Sequence, residues 1–594
     1  MAIDPITLEV IYNRLNSIAD EMENVVLRSS YSVIIKEVGD ASSAIFTIDG
    51  EAMAHSLSLP LHLGVMGAAL HSIIGEFPAN EMQDGDVYIL NDPYLGGTHL
   101  PDIVIAAPVV HDAEPVGLTA VLAHHQDVGG MVPGSMPATA TEIFQEGLII
   151  PPLALRTAGV DNDTLFRLIE RNVRLPGEVI GDIRGQVGAV LAGAMRLRAL
   201  LDEYGHALVL EHVRELLDRA ERMTRAEIAA IPDGSVTFED YLDHDGVDRE
   251  TRLLPVRATV TVSGDELTVD MTGTNPQTRG SANGPPSTAF APVVYALRTI
   301  VDPTIPVNGG SERPIRLIAP EGTLVNPRRP AAVALRGQLG SRVLKAVFGA
   351  LVQVVPDRIP ADSGEHDGVL GLAGVDPESG RPWGFAFEPV GGMGARPTKD
   401  GAEAVSNHLS NVLSVPAEVW EDFPLRATRH SLRPDSGGAG RWRGGLGLEF
   451  AYRILRGEVT ASYRGDRHFT SPWGLFGGKP GASWRLLIHR LSGEIEEIPG
   501  RSIFTIYAGE SVELLGGGGG GYGDPLEREP WRVLEDVLDG KVSPEAAESD
   551  YGVLGRNDPF ELDVEATEGL RAQMRAGRGP ITWTFDRGSG LGCQ

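Results

Sequence analysis

The chain has a single cysteine in 594 residues, Cys593, beside the C-terminal residue. One thiol forms no intrachain disulfide, so nothing marks an oxidising compartment, and no candidate cysteine nucleophile is present. No uninterrupted apolar run approaches the length of a membrane-spanning helix. The N-terminus, Met1-Ala2-Ile3-Asp4-Pro5, lacks the basic and apolar regions of a secretory leader, so a cytoplasmic protein is the default expectation. Positive charge is scarce: 51 Lys and Arg stand against 81 Asp and Glu, a net charge of −30. That balance argues against a nucleic-acid partner, which needs clustered cations. Nucleotide motifs are missing too. Gly540-Lys541-Val542 and Gly477-Gly478-Lys479-Pro480 both fail the phosphate-loop pattern, and no G-x-S-x-G elbow or H-E-x-x-H helix occurs.

Glycine (73) and proline (41) are plentiful and lie among apolar runs, which indicates turn-rich β structure rather than disorder. Hydrophobic residues make up 42%, enough for a sizeable core. Residues 5–29 have the 3- and 4-residue apolar steps of an amphipathic helix, with Asp4-Pro5 as its start. Residues 32–35 and 44–47 read as short strands, 65–77 as a helix, 87–90 as a strand and 183–230 as one long helix. Residues 236–242, 256–262 and 266–271 alternate as antiparallel strands. A helix spans about 341–354. The glycine-rich stretch 435–447 reads as tight turns between strands, lacking the strand and helix that flank a dinucleotide loop. Two helices are expected around 530–539 and 543–549. The fold class is α+β and multidomain: a metal-bearing region at 1–230, an antiparallel β segment at 231–285, a helix-containing region at 286–359, a glycine-rich β region at 360–525 and a helical tail at 526–594.

The chemistry concentrates in residues 91–130. Asn91-Asp92-Pro93-Tyr94-Leu95-Gly96-Gly97-Thr98-His99-Leu100-Pro101-Asp102 leads into one apolar run, and a second run ends at His124-His125-Gln126-Asp127. If the runs are antiparallel neighbours, the loop before the first lies beside the end of the second. His99, Asp102 and a histidine of the pair then share one sheet edge. Imidazole with carboxylate suits zinc, manganese or iron, and three protein ligands leave a position open. Successive side chains of a strand alternate faces, so only one of His124 and His125 serves as a ligand. The turn at 37–40 offers two more carboxylates, Glu37 and Asp40. His62 either faces this site or is an ordinary cap or core histidine, the second being favoured. Residues 131–140 form a flexible-looking loop of the kind that makes a lid, or an ordinary solvated loop.

The order and length of several motifs resemble the B subunit of the hydantoinase B/oxoprolinase family. They are Asn91–Asp102, Ala123–Gly130, Glu142–Pro152, Asn308–Asn326, Asp435–Gly447 and Gly518–Leu526. The resemblance implies one bivalent metal, zinc or manganese foremost and iron next, with His99, Asp102, His124 and Asp40 (in preference to Glu37) as ligands. It also implies an actin-like ATPase partner of the hydantoinase A type, which binds the ATP, in an assembly with two copies of each subunit. The implied activity is ATP-dependent hydrolysis of a cyclic amide, a hydantoin or a lactam such as 5-oxoproline, with His125, Asp127 or Glu146 as base or positioning group. Two alternatives stand beside it: the catalytic subunit of an acetone- or acetophenone-type ketone carboxylase, and a scaffold subunit whose metal is only structural.

Overall fold

The computed structural model describes residues 4–56, 58–62, 64–248, 250, 253–366, 368–387, 389–405, 423–556, 560–588 and 591–593. Helices and mostly antiparallel sheets share the chain, as the α+β expectation requires. Two compact units divide it. The first is Met1–Asp240, Asp245–Asp248 and Pro255–Val354; the second is Tyr241–His244, Arg249–Leu254 and Val355–Gln594.

The first unit is built on a seven-stranded sheet. Its strands are β1 (Ala41–Thr47), β2 (Ala52–His55), β3 (Val87–Leu90), β4 (Asp102–His111), β5 (Glu114–His124), β6 (Leu153–Thr157) and β7 (Val160–Asp161), in the order β2-β1-β5-β4-β3-β6-β7. β4 and β5 are almost wholly buried, because the sheet is covered on both faces. On one face, Ile103, Ile105, Val121 and Ala123 pack with helices α1 (Pro5–Ser29) and α5 (Pro176–Tyr204). On the other, Val104, Ala106, Leu118, Ala120 and Leu122 pack with α3 (Val65–Glu76). The two-residue period therefore sorts odd and even positions of this hairpin to different faces.

Helix α1 begins where the sequence says. Asp4 accepts a hydrogen bond from Thr7 N (2.9 Å), and Pro5 sits in the first turn. Residues 32–35 are not a strand: Val33–Lys36 form a short helix, α2. The expected long helix is two, α5 and α6 (His206–Ala229), because Gly205 (φ 84°) ends the first and opens the second. Helix α4 (Asp163–Asn172) precedes them. Strands β8 (Gly234–Leu242), β9 (Leu254–Ser263), β10 (Glu266–Asp270) and β11 (Ile315–Ile318) form a second sheet in the order β11-β10-β9-β8, with β10 and β11 parallel. Helices α7 (Pro286–Ile300) and α8 (Arg336–Leu351) pack together, and every described position of α8 except Gly337 is buried.

The second unit carries two antiparallel sheets. One orders β13 (Pro382–Phe387), β12 (Leu370–Val375), β16 (Glu458–Arg464) and β20 (Arg501–Tyr507). The other orders β14 (Leu425–Leu432), β15 (Leu448–Ile454), β21 (Ser511–Leu515), β18 (Arg485–His489) and β19 (Ile495–Ile498). Beyond β21 the six glycines 516–521 run extended, with backbone partners on several sides. Gly517 O accepts from Gly392 N (2.9 Å) and Gly519 O from Gly438 N (2.8 Å); Gly520 N donates to Asp362 O (2.7 Å) and Gly521 N to Lys479 O (2.9 Å). The chains lie so close that a Cβ on Gly518, Gly519, Gly520 or Gly521 would collide with a carbonyl of a neighbouring segment. Residues 443–447, expected to be tight turns, are extended chain within this bundle, because glycine alone admits such an approach. The tail forms α9 (Pro530–Leu538), α10 (Pro544–Tyr551) and α11 (Val564–Arg578), the last not foreseen from the sequence.

Candidate metal centre

The segment 91–102 is held at every polar position. Asn91 donates to the carbonyls of Leu100 (2.7 Å) and Leu148 (3.0 Å) and accepts from Ile150 N (2.7 Å). Asp92 accepts from Tyr94 N (2.9 Å), and the Tyr94 hydroxyl donates to Ala331 O (2.6 Å). Gly96 (φ 96°) turns the chain where a Cβ would strike the Ala68 carbonyl. The loop thereby delivers Thr98 and His99 to the start of β4, where Thr98 donates to Asp102 Oδ2.

β4 and β5 are antiparallel neighbours, with Asp102 opposite His124. Both are even-numbered and take the face that the α3 side covers. One ligand atom from each of His99, Asp102 and His124 lies within 4.8 Å of the others, and all three residues are buried. The His99 and His124 rings are 5.0 Å apart at 61°. Asp40 joins from the neighbouring strand edge: its carbonyl accepts from His124 N (3.0 Å). It stands outside the group of three. His62 also stands outside the group of three and is a buried histidine, as the favoured reading has it, lying near Asp40. Its Nε2 is 3.8 Å from Asp40 Oδ1 and its Nδ1 is 2.7 Å from Ser42 Oγ.

The electrostatics suit a cation. His99 Nδ1 lies 3.3 Å from the Ala334 carbonyl, which only accepts, so the proton sits on Nδ1 and Nε2 keeps a lone pair. That Nε2 is 3.1 Å from Asp102 Oδ1, yet neither atom has a hydrogen-bond partner of acceptable geometry. Two buried ligand atoms this close, with His124 beside them, form a group that could hold an ion. Burial lowers the pKa of His99 despite Asp102, which keeps the imidazole neutral and able to ligate. Burial also lowers His62, to about 3. For Asp102, burial raises the pKa, but the Arg336 guanidinium and then His99 outweigh it and hold the carboxyl well below the usual range. Arg336, the first residue of α8, pairs with Asp102 Oδ2.

The chain belongs to the hydantoinase B/oxoprolinase family. The family model, described as hydantoinase B/oxoprolinase, matches residues 4–525. The B subunit of a putative D-/L-hydantoinase from a Pseudomonas species is 35% identical over 96% of this chain and 98% of its own length. The crystal structure of an ATP-dependent caprolactamase from Pseudomonas jessenii is similar at a TM-score of 0.87, with 30% identity over 96% of this chain and all of that one. An acetone carboxylase structure shares the fold at a TM-score of 0.88 and 21% identity, over 97% of this chain and 83% of that one.

Within this family member, the three expected base or positioning residues are bound into the scaffold. His125 takes the opposite face of the sheet from His124, as strand alternation demands. Its Nε2 is 2.9 Å from Gln186 Oε1 on α5, and Gln186 in turn donates to Ile103 O (2.9 Å). Asp127 accepts from the backbone of Gly129 (3.0 Å), Gly134 (3.2 Å) and Arg174 (2.9 Å) and from Arg174 Nη1 (3.0 Å). It pins residues 129–135. Ser135, Ala138 and Ala140 of the 131–140 loop, read as either a lid or a solvated loop, are fully buried, whereas Met131 is exposed. Glu146 Oε1 accepts from Val333 N and Ala334 N (2.8 Å each), and burial pushes its carboxyl up to about 8. It fixes the segment whose Ala334 carbonyl orients His99. Arg336 had no signal in the sequence beyond a lone cation after the apolar run 331–335.

Proposed function

We propose that this chain is the hydrolytic half of an ATP-dependent cyclic amide hydrolase. The observation that carries the reading is the convergence of His99, Asp102 and His124 at one buried point in a chain of this family. Asp40 is the fourth ligand in this proposal, on the same side of β5 as His124. A bivalent ion bound there, zinc or manganese, supplies Lewis acidity and lowers the pKa of coordinated water toward 7. The chain's own residues hold that site in readiness. Ala334 O fixes the His99 tautomer, Thr98 and Arg336 anchor the outer oxygen of Asp102, and Glu146 positions Ala334. His125 and Asp127 act as positioning residues, one bracing the end of β5 against α5 and the other closing the loop behind it.

A lactam or hydantoin amide is a poor electrophile. An actin-like ATPase partner that phosphorylates the carbonyl oxygen converts it to a carbon bearing a good leaving group. Water then adds at that carbon, the ring C–N bond breaks with the nitrogen taking up a proton as it leaves, and the acyl phosphate so formed is hydrolysed to a carboxylate and inorganic phosphate. The hydantoinase relative is named as one subunit of its enzyme, which supports a partner, and the lack of a phosphate loop in this chain agrees with ATP being bound elsewhere. The relatives' named substrates support hydantoins and lactams as the substrate class.

The test is metal analysis of wild type and His99→Ala/His124→Ala, followed by co-expression with the ATPase partner. About one ion per chain in wild type, lost in the double variant, is expected. The complex is expected to open hydantoins or lactams only with ATP. Carboxylation of a ketone on adding bicarbonate, with no lactam opened, would overturn the hydrolase reading. Full activity in the double variant would reduce the ion to a structural one.

A further inference from the structure

Arg336 is 3% exposed, and only one of its three nitrogens is accounted for. Nη2 holds Asp102 Oδ2, while Nε and Nη1 are buried without a hydrogen-bond partner among the described residues. Arg528, also buried, leaves only Nε without a partner among the described residues: it places Nη1 on Asp400 (2.7 Å) and Nη2 on Asp400 (2.9 Å) and Asp536 (2.7 Å). A desolvated donor left unpaired costs about 1–3 kcal/mol, more when charged. Two such donors on one guanidinium mark a place where a ligand completes the pairing.

The charges around it point the same way. Asp102, His99 and Arg336 all act on His62, so these groups share one small volume. A bivalent ion bound beside the guanidinium would outweigh the carboxylates of Asp102 and Asp40 and leave a positive remainder in a buried place. An anion relieves it. The planar guanidinium fork fits a tetrahedral phosphoryl group through paired N–H donors, which an ammonium does not reproduce.

We propose that Arg336 receives a phosphoryl group of the activated substrate through Nε and Nη1, beside the ligand Asp102. This rests on the reading of the site as one supplied with a phosphorylated cyclic amide. Arg336 thus has two faces: one pairs with Asp102, and the other selects substrates that carry phosphate.

The experiment is calorimetric titration of inorganic phosphate into the full chain loaded with Zn²⁺, using wild type, Arg336→Lys and Arg336→Gln, with metal content and melting temperature measured on each. Wild type is expected to bind phosphate, and acetate is expected not to displace it. Arg336→Lys is expected to keep its metal and weaken phosphate about tenfold or more, the loss of one charge-assisted pair. Arg336→Gln is expected to weaken it at least as far. Phosphate bound equally by wild type and Arg336→Lys overturns the proposal. So does displacement by acetate, or loss of metal in both variants in step with phosphate, which makes Arg336 only the counter-ion of Asp102. The metal reading fails separately. If His99→Ala/His124→Ala holds no metal yet binds phosphate, and an added Arg336→Lys abolishes that binding, the anion site stands alone.

Discussion

Asp102 faces His124 as its direct partner across the β4–β5 ladder, and Arg336 covers the outer oxygen of the same carboxylate. One side chain thus joins a ligand pair to a buried ion pair. Removing one member of a buried pair costs about 3–5 kcal/mol, since the other charge stays desolvated. Asp102→Ala is therefore expected to melt several degrees below wild type even in metal-free protein, where the loss of a ligand has no effect. Equal melting of the two metal-free proteins in differential scanning calorimetry would show that Arg336 relaxes into solvent.

Glu146 gives a pH signature. Its folded pKa is raised to about 8 by burial, above the ordinary value near 4.5. Below 4.5 both states hold the proton and the group is neutral in effect. Between 4.5 and 8 the unfolded chain releases a proton that the folded one retains, so stability falls as pH rises, on the order of 1.4 kcal/mol per unit at most. Glu146→Gln keeps an acceptor for Val333 N and Ala334 N without this loss. The variant is expected to match wild type near pH 5 and to exceed it progressively up to pH 8 in urea unfolding. A difference independent of pH would show that the carboxyl titrates normally.

The parts of the site that were legible in the sequence are those that strand period and loop chemistry control. Alternate positions sort His124 from His125, and the Asp4-Pro5 pair marks the start of α1. Local apolar runs misled where packing decided: Ile34 and Ile35 look β-prone but end a helical turn that Gly39 closes. Gly205 was hidden in a helical pattern. Arg336 meets Asp102 across 234 residues, and Glu146 meets Val333 across 187. No window of sequence contains such pairs. His62 is buried against Ser42 and Asp40 across another strand edge, a pairing no window of sequence contains either.

The His125–Gln186 contact separates bracing from catalysis. Gln186→Leu leaves His125 Nε2 without its partner in a site shut off from water. Such an orphaned group costs about 1–3 kcal/mol. The variant is expected to lose stability by that order while retaining the metal content of wild type, because His124 faces away. Metal loss at unchanged stability would instead place His125 in the ligand sphere.

The glycine bundle of the second unit makes the sharpest demand on sequence. A Cβ on Gly519 would lie against the Met393 carbonyl, and Gly519 N and O already bond Gly445 and Gly438 (2.9 and 2.8 Å). Nothing flexible is at hand to yield, because the obstacle is backbone on every side. Gly519→Ala must therefore push apart extended segments that share hydrogen bonds, breaking several at once. Gly493 is a useful contrast: it lies in the exposed turn between β18 and β19 with open space around its Cα, and its φ of 88° imposes only local backbone strain. Gly493→Ala is expected to cost about 1–2 kcal/mol. Gly519→Ala is expected to cost more than twice that and to open residues 360–395 and 436–447 to proteolysis and amide exchange together. Equal effects of the two substitutions would mean that the bundle is loose enough to admit a methyl group, and that its run of glycines serves folding rather than close packing.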